Sequence, residues 1–96
     1  MLSHKKIDQI ASSVARANIS RHGVRTVFSE PTSDLEGKDA LRITIVVTPD
    51  AVEKLKGDAA LNTLVQIVLR LQSAGEERFP YIEYSTEDEL EAIVDS

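Results

Sequence analysis

Apolar residues recur at helical spacing in two long segments of the chain, and the first lies at the N-terminus. From Ser3 to about Arg21 they fall three and four positions apart, which places them on one side of a helix. This stripe consists of Ile7, Ile10, Ala11, Val14 and Ala17. Ser3 is a suitable N-cap, and Gly23 offers a left-handed stop after the last turn. The pattern predicts an amphipathic surface helix.

The second helical segment runs from Ala59 to about Ala74 and is more apolar than the first. Gly57-Asp58 before it and Gly75 after it are typical start and stop signals. Its main stripe consists of Leu61, Leu64, Val65, Val68 and Leu69, and Ile67 and Leu71 widen it. We expect a face this broad to be buried against the sheet on one side and against another element on the other.

Three segments read as β-strands, over residues 24–30, 40–48 and 79–84. The middle segment is the clearest, because its large apolar side chains alternate with the others. Pro80 fits only near the start of a strand or on a sheet edge. A polar segment containing Pro and Gly joins the first two strands, and it predicts a mobile hairpin loop over residues 31–39.

Two shorter helical segments complete the chain. Thr48-Pro49-Asp50 ends the second strand and starts a helical turn that reaches about Lys56. Thr86 and Glu89 form a capping box for a final helix. The apolar side of that helix consists of Leu90, Ile93 and Val94. The element order α-β-β-α-β-α predicts an α+β fold, with helices packed on one face of a single-layer, three-stranded sheet.

Length and composition fit one domain over residues 1–96, of which 42% are hydrophobic. We expect residues 1–3 and 95–96 to fray. The first residues turn polar at once, which argues against a secretory signal, and the longest apolar runs fall short of the roughly 20 residues that span a bilayer. The chain has no cysteine. These features predict a cytoplasmic protein without a membrane partner.

The net charge of −5 is concentrated at one end, because residues 83–96 contain six acidic residues and no basic one. Net acidity argues against a nucleic-acid partner, whose phosphates need basic side chains. The leading hypothesis is a small non-enzymatic accessory or regulatory protein that binds another protein or a second copy of itself. The residues to test first are Tyr84, Glu87, Asp88, Glu89 and Glu91.

An alternative is weak RNA binding through the basic N-terminal quarter. Its candidate residues are Lys5, Lys6, Arg16, Arg21 and Arg25. The element order over residues 4–84, with Ala74-Gly75 leading into Pro80-Tyr81-Ile82-Glu83-Tyr84, resembles the type II KH arrangement of bacterial ribosome-binding factors. That resemblance implies a ribosome-associated protein. The chain contains no Gly-x-x-Gly segment, which KH domains use to clamp the nucleic-acid backbone.

A third alternative is a small enzyme that uses carboxylates, for which Glu76, Glu77 and Glu83 are the candidates. Nothing in the sequence strengthens it. Gly75-Glu76-Glu77-Arg78 reads as an exposed turn, and the two histidines fall at opposite ends of the first helix. No nucleotide-binding loop or metal-ligand pattern is present, so we expect neither a cofactor nor a metal.

Overall fold

A computed structural model describes residues 1–95 of the chain, with side chains for residues 1–92. The elements in chain order are α1 (His4–Asn18), β1 (Val24–Ser33), β2 (Asp39–Val47), α2 (Pro49–Val52) with a 3-10 turn (Glu53–Leu55), α3 (Ala59–Ser73), β3 (Phe79–Ser85) and α4 (Glu87–Asp95). The predicted α+β class and element order are confirmed. Ser96, at the end where fraying is predicted, and the side chains of Ile93 and Val94 lie outside the described part.

The sheet has the order β1-β2-β3, with β1 antiparallel and β3 parallel to the central strand β2. Leu41, Ile43 and Ile45 of β2 are completely buried. The two long helices α1 and α3 pack on the face to which these residues point. Leu90 of α4 lines a surface cleft with Val46. Because side chains alternate along a strand, Val46 points to the face opposite Ile45.

Helix α1 begins as predicted, because Ser3 accepts a hydrogen bond from the Lys6 amide at 3.2 Å. It ends at Asn18, three residues before the predicted end. After this end, Ser20 Oγ accepts a hydrogen bond from the Gly23 amide at 2.9 Å. A turn closed by a side chain in this way competes with continuation of the helix. Gly23 is not left-handed. A Cβ at Gly23 would lie 2.7 Å from Ala51 Cβ, so close packing excludes a side chain.

The β1–β2 connection is shorter than the loop predicted over residues 31–39. β1 continues through Pro31 to Ser33, which an edge strand tolerates. The remaining five-residue turn, 34–38, is closed by the Asp34 side chain, which accepts from the Glu36 and Lys38 amides at 2.8 and 2.9 Å. The loop therefore begins and ends within the predicted segment, but strand pairing occupies the rest of it.

Helix α3 lies beside α1, and polar side chains join the two helices. Asn18 donates to Gln66 at 3.0 Å, and Arg70 donates to Ser13 at 3.4 Å. The contact with α1 and the sheet buries Thr63, Ile67 and Leu71. One side of α3 is therefore part of the core.

Leucine-to-alanine substitutions on α3 test which side of the helix the core uses. Leu71 is 1% exposed and Leu69 is 56% exposed. We expect Leu71→Ala to lower the free energy of unfolding by about 2–5 kcal/mol, because it opens a cavity in the core. Leu69→Ala should lower it by less than about 1 kcal/mol. Denaturant unfolding of dilute protein measures both, and equal losses would contradict this orientation.

Candidate functional site

Three large apolar side chains of α3 point away from the core. Leu61 is 58% exposed, Val65 is 46% exposed, and Leu69 is more than half exposed. They follow one another four residues apart, so they form one line along the helix, which we call the outer stripe. These three residues belong to the stripe that is predicted to be buried, and that prediction is wrong. The buried line is the one through Thr63, Ile67 and Leu71, and no described element covers the outer stripe.

The outer stripe borders the free edge of the sheet. β3 pairs with β2 alone among the described residues, so one of its edges has no neighbouring strand. Its Phe79 and Tyr81 side chains are about half exposed, and their rings meet edge to face with centroids 5.4 Å apart. A groove of about 330 Å³ runs between α3 and β3. Its lining consists of Ala60, Leu61, Leu64, Phe79, Pro80, Tyr81, Ile82 and Tyr84.

The two tyrosines of β3 point to opposite faces, as the strand alternation predicts, and Tyr81 is the exposed one. Tyr84 packs against the core, and its hydroxyl is buried with no hydrogen-bond partner in the described part of the chain. The Thr63 hydroxyl near Tyr84 donates its hydrogen bond to the Ala59 carbonyl at 2.7 Å. Burial raises the pKa of Tyr84. Tyr81 is therefore better placed than Tyr84 to contact a partner.

The outer side of α3 is almost free of charge. No acidic or basic residue occurs over residues 59–69. Asp58 and Gln72, both exposed, stand seven residues before and after Val65. Seven residues are nearly two helical turns, so both lie in line with the outer stripe. Asp58 is the one charged residue on this line, at its N-terminal end.

The buried carboxylate of Glu76 fixes the end of α3. Gly75 adopts a left-handed conformation (φ 95°), and the Glu76 amide bonds back to the Leu71 carbonyl at 2.9 Å. This C-cap turns the Glu76 side chain inward, where it accepts from Arg78 Nε at 2.9 Å and from the Leu2 amide at 3.0 Å. The turn predicted to be exposed instead contains a buried ion pair.

The Arg78 guanidinium lowers the pKa of Glu76 from 4.5 to about 2, and the bonds from the Arg78 and Leu2 amides act in the same direction against burial. The bond to Glu76 in turn raises the pKa of Arg78. Glu76 and Glu77 line one surface cleft, whereas Glu83 pairs with Arg42 at 3.5 Å. The structure does not bring the three candidate carboxylates together, and Glu76 is held ionised, so it is not a general acid at neutral pH.

The acidic candidates of the last helix have mixed surroundings. Glu87 pairs with Arg25 at 3.0 Å across the surface. Glu89 completes the predicted capping box, because its carboxylate accepts from the Thr86 amide at 3.2 Å. Asp88 and Glu91 are exposed. Two of the four acidic candidates therefore already have structural partners.

Three of the five basic candidates lie together, and the other two do not. Lys5, Arg16 and Arg25 line one cleft between α1 and β1. Within this cleft, Arg16 donates a hydrogen bond to the Val24 carbonyl at 3.1 Å, and Arg25 forms the ion pair with Glu87. Lys6 and Arg21 are exposed and do not line this cleft.

No group of three or more potential metal ligands occurs among the described residues. None of the helices in that part of the chain has the length and apolar character needed to cross a bilayer.

The Glu76–Arg78 pair predicts a pH dependence of stability. Because the pKa of Glu76 is lower in the folded than in the unfolded chain, its contribution is complete above about pH 5 and is lost as the pH falls from 4.5 towards 2. A shift of this size corresponds to about 3 kcal/mol. We expect Glu76→Gln to lower the unfolding free energy at pH 7 by about 3–5 kcal/mol, since Arg78 stays buried without its partner.

Denaturant unfolding at several pH values between 7 and 2.5 measures this dependence. The difference between wild type and Glu76→Gln should narrow at the acidic end. Glu77→Gln, which changes the adjacent exposed residue, is the matched control and should follow the wild-type curve. A Glu76→Gln variant with wild-type stability at every pH would contradict the buried ion pair.

Comparison of this chain with protein-family models, with curated proteins and with solved structures finds no match. The likeness to type II KH domains therefore rests on element order alone, and the surfaces described above are what bears on function. Among them, the outer stripe of α3 with the neighbouring edge of β3 contains five of the nine large apolar side chains that are exposed in the described part of the chain.

Proposed function

We propose that this protein is a non-enzymatic accessory protein that acts by binding another protein through the outer stripe of α3 and the free edge of β3. The observation that carries the proposal is the exposure of Leu61, Val65 and Leu69 in one continuous line. Single exposed apolar residues are common on soluble proteins, whereas contiguous apolar patches mark interaction sites.

The surroundings of the outer stripe support a protein as the ligand. A free strand edge offers unpaired backbone groups to an incoming chain, and Pro80 near the start of β3 limits indiscriminate pairing. Exposed aromatic residues such as Phe79 and Tyr81 are typical anchors of protein interfaces. The groove is shallow and contains no cluster of reactive groups, which fits a docking surface better than a catalytic pocket.

The residues to test first are therefore Leu61, Val65 and Leu69 of the outer stripe. The acidic residues Glu87, Asp88, Glu89 and Glu91 belong to a different part of the surface, so a role for them in partner binding stays a prediction. The RNA alternative also stays a prediction, and it is weakened because Arg16 and Arg25 already bind other groups of the chain. A cytoplasmic location fits the proposal and is likewise still a prediction.

Charged substitutions in the outer stripe test the proposed function. We expect Leu61→Glu and Leu69→Lys each to weaken partner binding about tenfold or more, because each removes apolar contact and buries a charge. Each new charge has the sign that its end of the helix favours, so the fold should persist. The effect is measured by immobilising each variant and identifying the proteins that it captures from a lysate of the cells that produce this protein. Captured copies of the chain itself count as a partner.

The matched controls are Leu35→Glu and Leu35→Lys, which place the same charges at a fully exposed leucine of the β1–β2 turn. They should capture as much partner as the wild type. The proposed function predicts at least one captured protein that both controls retain and both outer-stripe variants lose. If there is no such protein, the proposed function is wrong.

A further inference from the structure

We infer that the partner on the outer stripe is a second copy of this chain, related by a twofold axis that passes near Val65 and sets the two α3 helices antiparallel. The inference rests on the proposed function and adds the identity and geometry of the partner. In an isologous contact of this kind, the same patch of the two copies meets. The patch must therefore be complementary in charge and shape to an identical patch.

The charge distribution favours self-association at this surface. The chain has a net charge of −5, and the acidic residues of α4 would repel one another in a contact between two copies. Residues 59–69 carry no charge. Two outer stripes can therefore meet without like-charge repulsion, and a strongly acidic or basic partner would find no counter-charges along the stripe.

The ends of the outer stripe favour the antiparallel direction. With Val65 on the axis, Leu61 of one chain faces Leu69 of the other, because each lies four residues from the centre. The same relation sets Asp58 against Gln72, whose amide group can donate a hydrogen bond to the carboxylate. A parallel arrangement would instead place Asp58 against Asp58, with like charges opposed. The antiparallel contact has no unfavourable pair along this line.

The free edge of β3 lies beside this contact. A twofold axis perpendicular to the sheet would also bring the two β3 edges together antiparallel, with the apolar groove of each copy closed by the other. Interfaces of standard size bury about 800 Å² per partner, and the whole chain exposes 6110 Å². A contact of that size would cover about an eighth of this surface, and obligate dimers bury more.

Light scattering coupled to size-exclusion chromatography, over a range of protein concentrations, tests the inference. The wild-type mass should rise from the 10.6 kDa of one chain towards twice that value. Val65→Glu and Val65→Lys should each weaken association at least about tenfold, because each sets like charges together at the axis. An equimolar mixture of the two variants should recover the dimer, since unlike charges then meet.

Val65→Thr, which keeps the shape of valine, should weaken the dimer while retaining the fold, and circular dichroism checks folding of every variant. Leu35→Glu should dimerise like the wild type. A wild type that stays monomeric up to about 1 mM, a dimer that tolerates Val65→Glu, or a mixture that fails to recover would each overturn the inference. The wild type could be monomeric and still capture a different protein that Leu61→Glu and Leu69→Lys lose. That result would overturn the twofold contact and leave the proposed function standing.

Discussion

The width of the sheet is the constraint on which the rest of the structure depends. Three strands spaced about 4.8 Å apart extend about 10 Å between the outer strands, and two packed helices need about 8–10 Å between their axes. With α1 packed mainly over β1, α3 is left at the β3 edge of the sheet. One side of α3 faces α1 and the sheet, and the other side extends beyond the last strand. The exposure of Leu61, Val65 and Leu69 follows from this geometry.

The sequence predicts most of the fold because its element boundaries are encoded locally. Ser3 and the Thr86–Glu89 pair cap their helices as expected, and Gly75 ends α3. The buried side of α3 could not be read from periodicity, because a helix that is apolar around most of its circumference has no single preferred face. The absence of charged residues from the segment 59–69 is the sequence signal that α3 has a second apolar side.

Burial of Glu76 and close packing at Gly23 depend on distant residues, so they were outside the reach of local patterns. Arg78, the ion-pair partner of Glu76, is local, but the Leu2 amide that also donates to the Glu76 carboxylate lies 74 residues away in the chain. Gly23 is needed because Ala51 lies against it. The bond from the Leu2 amide to Glu76 ties the C-terminal end of α3 to the N-terminal segment, so it helps to hold the outer stripe in a fixed position. A preorganised surface loses less entropy on binding.

The most direct test of this account measures solvent access on both sides of α3. The chain has no cysteine, so Leu69→Cys and Leu71→Cys each introduce one thiol at a chosen position. In dilute native protein we predict that the thiol at position 69 reacts with a soluble reagent nearly as fast as in the unfolded chain. The thiol at position 71 should react at least about a hundredfold more slowly, because it reacts only when the core opens. Equal protection at the two positions would contradict the exposed outer stripe, and with it the proposed docking surface.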